Sequence, residues 1–493
     1  MNKIFDKTQF SAINIFDGQS ELNFSSVETI SRVLSHYDDR KEQPSICIFL
    51  NRSSLYIASI LAAWKAGFYV VPLNTKWPLE KNIEIIRQIK PTLVLAEEEF
   101  NIPDLSSIVL TKNQLEKKDL KYKNKNLSLR SIKSKDIAYI IFTSGSTGEP
   151  KGVVISAKSY KAYIDWTKNY FKHYRNIKKL LITSELTFDI TMGDIAFALA
   201  FGTDIGIARN HTNIPSILSM IMKYKVDLLY SVPTTHMALI LFAKQKKNSD
   251  ISSLKLIISG GDSFPWKMVK DYYQITKGAH IYNVYGPTEV TINCFSIRLD
   301  DKFNKLSFKN KPVPIGKCFN TLDYVLINDG TRSKKEGELC ILGNQIMLGY
   351  HNENVKSKNG ISFDLRVKRT KRIYHTGDLA YIDKGLVYLR GRIDSLVKIK
   401  GYRIHPDEIA KTIDSFQGVD SSAVIAKKIK SELKLIAFVK LEKGLERNAK
   451  IINNYLCLKL PFYMVPFNYV FVDVFPLNQS GKIDKKKLKS LYK

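Results

Sequence analysis

The chain is poor in cysteine, and the five it has (Cys47, Cys294, Cys318, Cys340 and Cys457) are odd in number and form no CxxC pair. That excludes a disulfide framework and a clustered-thiolate metal site, and it fits a reducing cytoplasm. The N-terminus, MNKIFDKTQFSAINIFDGQ, lacks the apolar run of a secretory signal. Long apolar stretches are scarce elsewhere. The single membrane candidate, Leu55–Val71, is interrupted by Lys65 and Gly67 and stopped by Pro72, so it reads as a buried helix, a turn and a strand. There is no repeat at a solenoid period, and no GxxxxGK[ST] loop. A cytoplasmic protein without membrane insertion is expected.

Positive charge, by contrast, is abundant. Lys and Arg number 76 against 47 Asp and Glu, a formal +29. Lysine is spread along the whole chain and gathers on no one arm or helix face, so nucleic-acid binding is not expected. A field of that sign attracts acidic partners. With 44% apolar and 11% aromatic residues in 493, the chain can build real cores and exceeds what one core organises.

The pattern begins as α/β. Residues 46–50 read as a buried strand, 55–65 as a helix, 82–90 as a helix and 92–96 as a strand, the alternation of layers around a mostly parallel sheet. A lysine- and asparagine-rich stretch over about 117–135 reads as a solvated loop. The strand YIIFT, a glycine-rich loop and a helix from about 157 to 172 follow, with more alternation to about 295. After about 310 come short β-rich runs punctuated by glycine, GELCIL, GLVYLRGR and LVKIKGYR, which suggest a small β-barrel and then a compact α+β unit. The expected boundary lies near Asp394, giving domains 1–393 and 394–493.

The densest chemical signal is Thr143, Ser144, Gly145, Ser146, Thr147, Gly148 and Lys151, directly after the strand YIIF. Hydroxyls, glycine amides and a lysine at this density make a cradle for phosphate oxygens; a plain polar turn rarely concentrates them so.

This run resembles the phosphate loop of the adenylate-forming (AMP-binding) superfamily, and the superfamily's other motifs have counterparts in the same order. Trp64-Lys65-Ala66-Gly67 with Val71-Pro72 is similar to an early structural motif. Tyr285-Gly286-Pro287-Thr288-Glu289 is similar to the adenine and magnesium segment, and Tyr374-His375-Thr376-Gly377-Asp378 to the ribose motif. Gly391-Arg392-Ile393-Asp394 and the following Lys398–Arg403 resemble the hinge region; Leu460–Pro466 and Asn478–Lys482 resemble the C-terminal motifs. The match covers about residues 45–485 and is closest to stand-alone amino-acid adenylation enzymes, namely non-ribosomal peptide adenylation domains and D-alanine–carrier-protein ligases.

The resemblance implies a large N-terminal domain of layered α/β subdomains plus a small β-barrel, with a smaller, mobile α+β C-terminal lid. It implies ATP and Mg2+ as cofactors and two half-reactions: acyl-adenylate formation, then transfer to a thiol. Bringing a carboxylate against the α-phosphate while pyrophosphate leaves crowds anions together, so cations and preorganised donors matter most. By resemblance, Lys482 bridges carboxylate and α-phosphate, Thr288 bonds the α-phosphate, and Glu289 holds magnesium, a metal that favours hard oxygen ligands. Tyr285 and Gly286 belong to the adenine segment, Asp378 accepts the ribose hydroxyls, and Arg392 serves the same region. Asp394 is the hinge, and Lys400, Gly401 and Arg403 face the adenylate in the thioester step.

Asp189, after an aromatic residue, corresponds to the aspartate that pairs with a substrate α-ammonium in amino-acid-activating members; a helix cap is its plainer role. The aligned pocket walls are Ile190, Gly193, Tyr230, Ile258, Gly260, Val284, Ile292 and Asn293. Two departures stand out. D-alanine enzymes typically carry cysteine where this chain has Gly260, and His405-Pro406 is the version common in acyl-CoA synthetases. Gly260-Gly261-Asp262-Ser263-Phe264 imitates a carrier-protein serine motif, but it lies where the superfamily has a turn of the acyl pocket. The chain ends 11 residues past Lys482, so the expected acceptor is a separate phosphopantetheinyl carrier protein, loaded by a monomeric enzyme. The alternative is an acyl-CoA ligase for a small carboxylic acid. A non-catalytic nucleotide-binding protein fits less well, since Lys482, Glu289 and Asp378 are all present.

Overall fold

Helix Ser54–Ala66 is buried along almost its whole length and stops at Gly67, whose φ of +92° only glycine holds without strain. A Cβ there would also lie 2.6 Å from Cβ of Arg130. Beside it, the Trp64 indole donates to the Ala138 carbonyl at 2.8 Å, tying the helix to the sheet beneath. The Leu55–Val71 segment is thus a helix, a turn and strand Tyr69–Pro72, and no helix among the described residues is long and apolar enough to cross a membrane. The computed structural model describes residues 12–39, 41–100, 108–122, 129–143, 150–246, 249–262, 264–299, 312–351, 361–364, 371–393, 396–430, 432–442, 446–476 and 483–492.

The chain divides into two compact units, one of Met1–Asn74, Ile89–Ile141 and Gly152–Ile393, the other of Thr75–Gln88, Phe142–Lys151 and Asp394–Lys493. In the first, a nine-stranded sheet has six parallel strands at its centre, in the order His280–Tyr285, Leu256–Ser259, Leu228–Ser231, Lys179–Ile182, Asp204–Ile207, Ile15–Phe16. These strands read as unbroken apolar runs because helices cover parallel sheets on both faces. A seven-stranded sheet is built around Ser45–Phe49, Tyr69–Pro72, Leu93–Ala96 and Ile137–Thr143. One apolar core joins residues of both sheets and the helices over them, including Trp64, Tyr160, Phe197, Ile258 and Phe295. Each such side chain, fully buried, is worth about 1.5–3 kcal/mol.

The β-rich region after 310 forms a six-stranded antiparallel sheet around the long strand Lys371–Asp383. Its pairings among the described residues run from Thr331–Ser333 to Ile361–Asp364, with Leu386–Arg392 also paired to the long strand, the β-rich unit expected here. One expectation is corrected at 117–135. Helix Lys112–Tyr122 runs into the supposed loop. Its start is a capping box: Gln114 N donates to Thr111 Oγ1 at 3.2 Å and Thr111 N to Gln114 Oε1 at 3.1 Å.

In the second unit, strands Val419–Ile429, Glu432–Leu441 and Asn468–Phe471 form a mixed sheet with helices Pro406–Asp414, Ala449–Lys459 and Lys485–Leu491 around it. Lys81 pairs with the buried Glu408 at 3.3 Å, and Lys459 with Glu80 at 2.5 Å. Those pairs join residues of Thr75–Gln88 to the C-terminal segment.

Candidate active site

The chain turns one way from strand Lys179–Ile182 to Asp204–Ile207 and the other way to Leu228–Ser231. Such a reversal opens a crevice beyond the carboxyl ends of parallel strands, where ligands of open α/β sheets bind. The segment leaving Ile182 enters that region and becomes helix Asp189–Phe201. It is held by its backbone: Arg52 donates to the carbonyls of Ile182 at 3.2 Å and Ser184 at 2.6 Å, and Thr191 Oγ1 donates to Glu185 O at 3.0 Å. The N-cap is Phe188, and no side chain caps the helix. Asp189 is therefore the first helical residue and not its cap. With burial as the first cause, its charge helps push the phenols of Tyr139, Tyr163 and Tyr230 above their ordinary range.

The proposed acyl-pocket residues come together. Tyr230 and Ile258 are directly paired on neighbouring strands. Gly193, Tyr230, Ile258, Val284 and Asn293 line one cavity with Tyr163 and Asp194. Ile292 lies beside Gly193, Val284 beside Gly260, and Ile190 beside Gly261. Asn293 Nδ2 donates to the hydroxyls of Tyr230 at 2.8 Å and Tyr163 at 3.0 Å. Asp194 is 1% exposed, and neither carboxyl oxygen has a hydrogen-bond partner among the described residues. Burial drives its pKa far upward, against the lesser effect of Arg52, so the acid is held neutral.

The nucleotide-side residues meet around strand His280–Tyr285. The Tyr285 hydroxyl donates to Asp378 Oδ2, and Arg392 Nη1 donates to Asp378 Oδ1 at 2.5 Å. Both oxygens of Asp378 are thus oriented by neighbours, as two adjacent ribose hydroxyls would require. Burial, and then the Asp378 charge, raise the Tyr285 phenol well above its usual range, so it stays a donor. Glu338 shapes the turn just before Asp378: Oε1 accepts from Gly377 N at 3.0 Å, while Oε2 and His375 Nδ1 also stand 3.0 Å apart.

After Tyr285 the backbone makes a tight return. A Cβ on Gly286 would sit 2.4 Å from Ile292 O, so only glycine fits. The 3-10 turn Thr288–Val290 follows, and Thr291 and Ile292 both hold positive φ, 54° and 73°. β-branched residues adopt that conformation at a cost of about 1–3 kcal/mol each. Gln345 holds the turn, with Thr291 Oγ1 on its carbonyl at 2.5 Å and its Nε2 on Asn293 O at 2.9 Å. The outcome is that Glu289, 1% exposed, is fixed with one oxygen accepting from Tyr350 at 2.9 Å. A buried carboxylate next to the Thr288 hydroxyl is a hard-oxygen donor set that fits magnesium.

Thr143 and Lys151 end and begin adjacent strands, with Thr143 Oγ1 3.5 Å from Lys151 O; Ser144, Gly145, Ser146, Thr147 and Gly148 between them lie outside the described residues, as do Ser263, Asp394 and Lys482. Lys400 and Gly401, at φ 53° and 85°, form the two-residue turn of a hairpin whose second strand, Tyr402–Ile404, carries Arg403. Two positive φ values identify the type I′ turn, whose twist suits a tight hairpin. Sequence reasoning did not find Tyr163, Asp194, Gln345 or Tyr350. Only Tyr350 carries a local signal, since it follows the GELCILG run at a strand end.

A family model described as AMP-binding enzyme matches residues 21–351. A D-alanine–D-alanyl carrier protein ligase of Staphylococcus aureus (strain bovine RF122 / ET3-1) is 30% identical over 477 residues, covering 95% of this chain and 93% of that one. Two solved structures share the fold. The o-succinylbenzoate CoA synthetase of Bacillus subtilis, a double mutant, superposes with TM-score 0.81 at 19% identity over 97% of this chain and 96% of its own. An artificially fused adenylation–carrier di-domain from Klebsiella oxytoca does so with TM-score 0.81 at 20% identity, over 94% and 92%. The strand-end crevice, the clamped Asp378 and the family match agree, and this chain belongs to the AMP-binding enzyme family of adenylate-forming ligases.

Proposed function

We propose that the enzyme condenses an amino acid with ATP to an aminoacyl-adenylate, releasing pyrophosphate, and then transfers the aminoacyl group to the phosphopantetheine thiol of a separate carrier protein. The observation that carries this reading is Asp189. An acid at the first turn of the helix that lines the acyl pocket, in the field of three buried phenols, supplies the counter-charge an α-ammonium needs. An unpaired carboxylate beside an aryl or fatty acid would gain nothing for its desolvation. The relative from S. aureus supports the same reading by its name.

Within this scheme Asp378 orients the ribose and Thr288 offers its hydroxyl to the α-phosphate. Glu289, with Tyr350 behind it, would hold magnesium, which neutralises phosphate charge when bound. Lys482 supplies the cation at the forming mixed anhydride, and the hairpin bearing Lys400, Gly401 and Arg403 serves the thioester step. The test is pyrophosphate exchange over paired amino and des-amino acids, followed by transfer to a phosphopantetheinylated acidic carrier or to free CoA. Exchange with amino acids and loading of the carrier support the reading. Exchange with des-amino acids and efficient transfer to CoA would replace it with an acyl-CoA ligase, the version that His405-Pro406 favours.

A further inference from the structure

Glu338 and Cys340 stand two residues apart on strand Glu336–Gly343, where Cys340 faces His375 of strand Lys371–Asp383 but Glu338 faces Leu379. Four steps along one strand thus answer two along the other. Such a bulge re-aims side chains, and Gly377, at φ 71°, sits inside it. It draws three different donor atoms together. His375 Nδ1 lies 3.0 Å from Glu338 Oε2 and 3.4 Å from Cys340 Sγ, and all three atoms lie within 4.8 Å of one another. One ring nitrogen cannot donate to the carboxylate and accept from the thiol at once. A cation would satisfy all three. With bonds of about 2.0–2.3 Å, a zinc tetrahedron built on nitrogen, oxygen and sulfur has edges of about 3.3–3.6 Å. The two edges at His375 are already within roughly 0.3 Å of that size. The thiol is buried, while the His375 and Glu338 side chains are 30% and 17% exposed, so solvent reaches the cluster on one side.

We propose that Glu338, Cys340 and His375 form a zinc site, with a fourth position open to water, on the bulge that presents Asp378. One thiolate, one imidazole and one carboxylate make a borderline-soft set that suits zinc, unlike the hard oxygens magnesium prefers. The charges balance as well, since thiolate and carboxylate together neutralise a divalent ion. The thiol proton leaves to solvent as the metal enters. Glu338 keeps its other oxygen on Gly377 N at 3.0 Å, and a ligand held by a second hydrogen bond is fixed in orientation. The ion therefore fastens the two strands where their regular pairing lapses, one residue before Asp378. The site does not depend on which acid the enzyme activates.

The experiment titrates the full chain, stripped of metal by a chelator and free of ATP, with Co2+. A thiolate–cobalt bond gives a near-ultraviolet charge-transfer band, and a tetrahedral field gives strong visible absorption. Both should saturate at one equivalent, be bleached by Zn2+ and survive a large excess of Mg2+. Cys340→Ala should lose the charge-transfer band. His375→Asn should weaken binding by at least the roughly 10–100-fold that loss of an outer-shell partner costs. Cys457→Ala, at an exposed cysteine, should bind as wild type does. Zn2+ should raise the urea midpoint of wild type and leave that of Cys340→Ala in place. Absence of the cobalt band from wild type would overturn the site. So would a band unchanged in either ligand variant, because another cysteine would then hold the metal. If Cys340→Ala does not unfold cooperatively, the wild-type titration and the half-exposed His375→Asn decide alone. Since no substrate is present, the result is separate from the fate of the amino-acid reading.

Discussion

Gln345 donates its side-chain amide to the carbonyl of Asn293 at 2.9 Å, across a turn in which two successive β-branched residues hold positive φ. The amide that donates to Tyr230 and the carboxylate of Glu289 flank this one strained return, so its anchor acts on both halves of the site. Gln345→Ala removes the side-chain bond and leaves a buried carbonyl without that donor, costing about 1–3 kcal/mol. The urea midpoint should fall accordingly, and kcat/KM for exchange should drop by more than the loss of folded enzyme explains. A midpoint shift with unchanged kcat/KM in the folded fraction would mean that the turn keeps its shape unaided.

Asp189→Ala separates ammonium recognition from a merely structural acid. Removing one partner of a buried ion pair costs about 3–5 kcal/mol, on the order of several hundred-fold or more in kcat/KM. The loss should be confined to the amino acid, with its des-amino analogue relatively improved, and the four measurements form a double-mutant cycle. Equal effects on both compounds would assign Asp189 to the helix alone.

Lys482→Ala divides the two half-reactions. Loss of a charged donor to the adenylation transition state should slow adenylate formation by on the order of 10²–10³-fold. Transfer from a supplied aminoacyl-adenylate to the carrier should be far less affected, since that step makes no use of the adenylation transition state. Single-turnover assays of each step measure both numbers, and equal loss in the two would rule out separate roles for this lysine.

His236 gives a pH dependence of stability. It is fully buried, near Tyr272 Oη at 2.7 Å and Ile258 O at 3.0 Å, and burial pushes its pKa from 6.5 to about 4. The unfolded chain takes up its proton first, so the contribution is whole above pH 6.5 and is lost as the pH falls toward 4. The shift corresponds to about 3 kcal/mol. Urea titrations at pH 7.5 and about 4.5 should show wild type losing roughly 2–3 kcal/mol more than His236→Gln; parallel losses would show that the imidazole takes up its proton as readily in the fold as in the unfolded chain.

How much of this was legible in the sequence depended on how local each constraint is. Gly286 was visible in YGPTE, and the fold supplies its reason in the carbonyl of Ile292 against which any Cβ would collide. The pocket walls on parallel strands were found by resemblance, not by periodicity, which marks a buried strand but not what its end residues face. Tyr163 lies 130 residues from Asn293, and Gln345 lies 52; nothing near either residue in sequence announces its partner. Helix Lys112–Tyr122 was missed for the opposite reason. Its lysine-rich composition suggested a solvated loop, while the Thr-x-x-Gln pattern that starts it was overlooked.

Val284 and Tyr285 are neighbours on one strand, yet the first lies against Gly260, in the proposed acyl pocket, and the second reaches Asp378, the proposed ribose ligand. Alternation along a strand sends successive side chains to opposite faces, so under the proposed function the backbone between them is a partition wall shared by the two substrates. Its frame is fixed by antiparallel pairing, Val284 with Ser296 and Tyr285 with Phe295. Side chains on either face can therefore be exchanged one at a time, altering one substrate site without rewriting the other. A slip of a single residue would instead transpose the two faces, placing a phenol against Gly260 and a valine where Asp378 now accepts the Tyr285 hydroxyl. A substitution on this strand thus changes one face, whereas an insertion or deletion changes both.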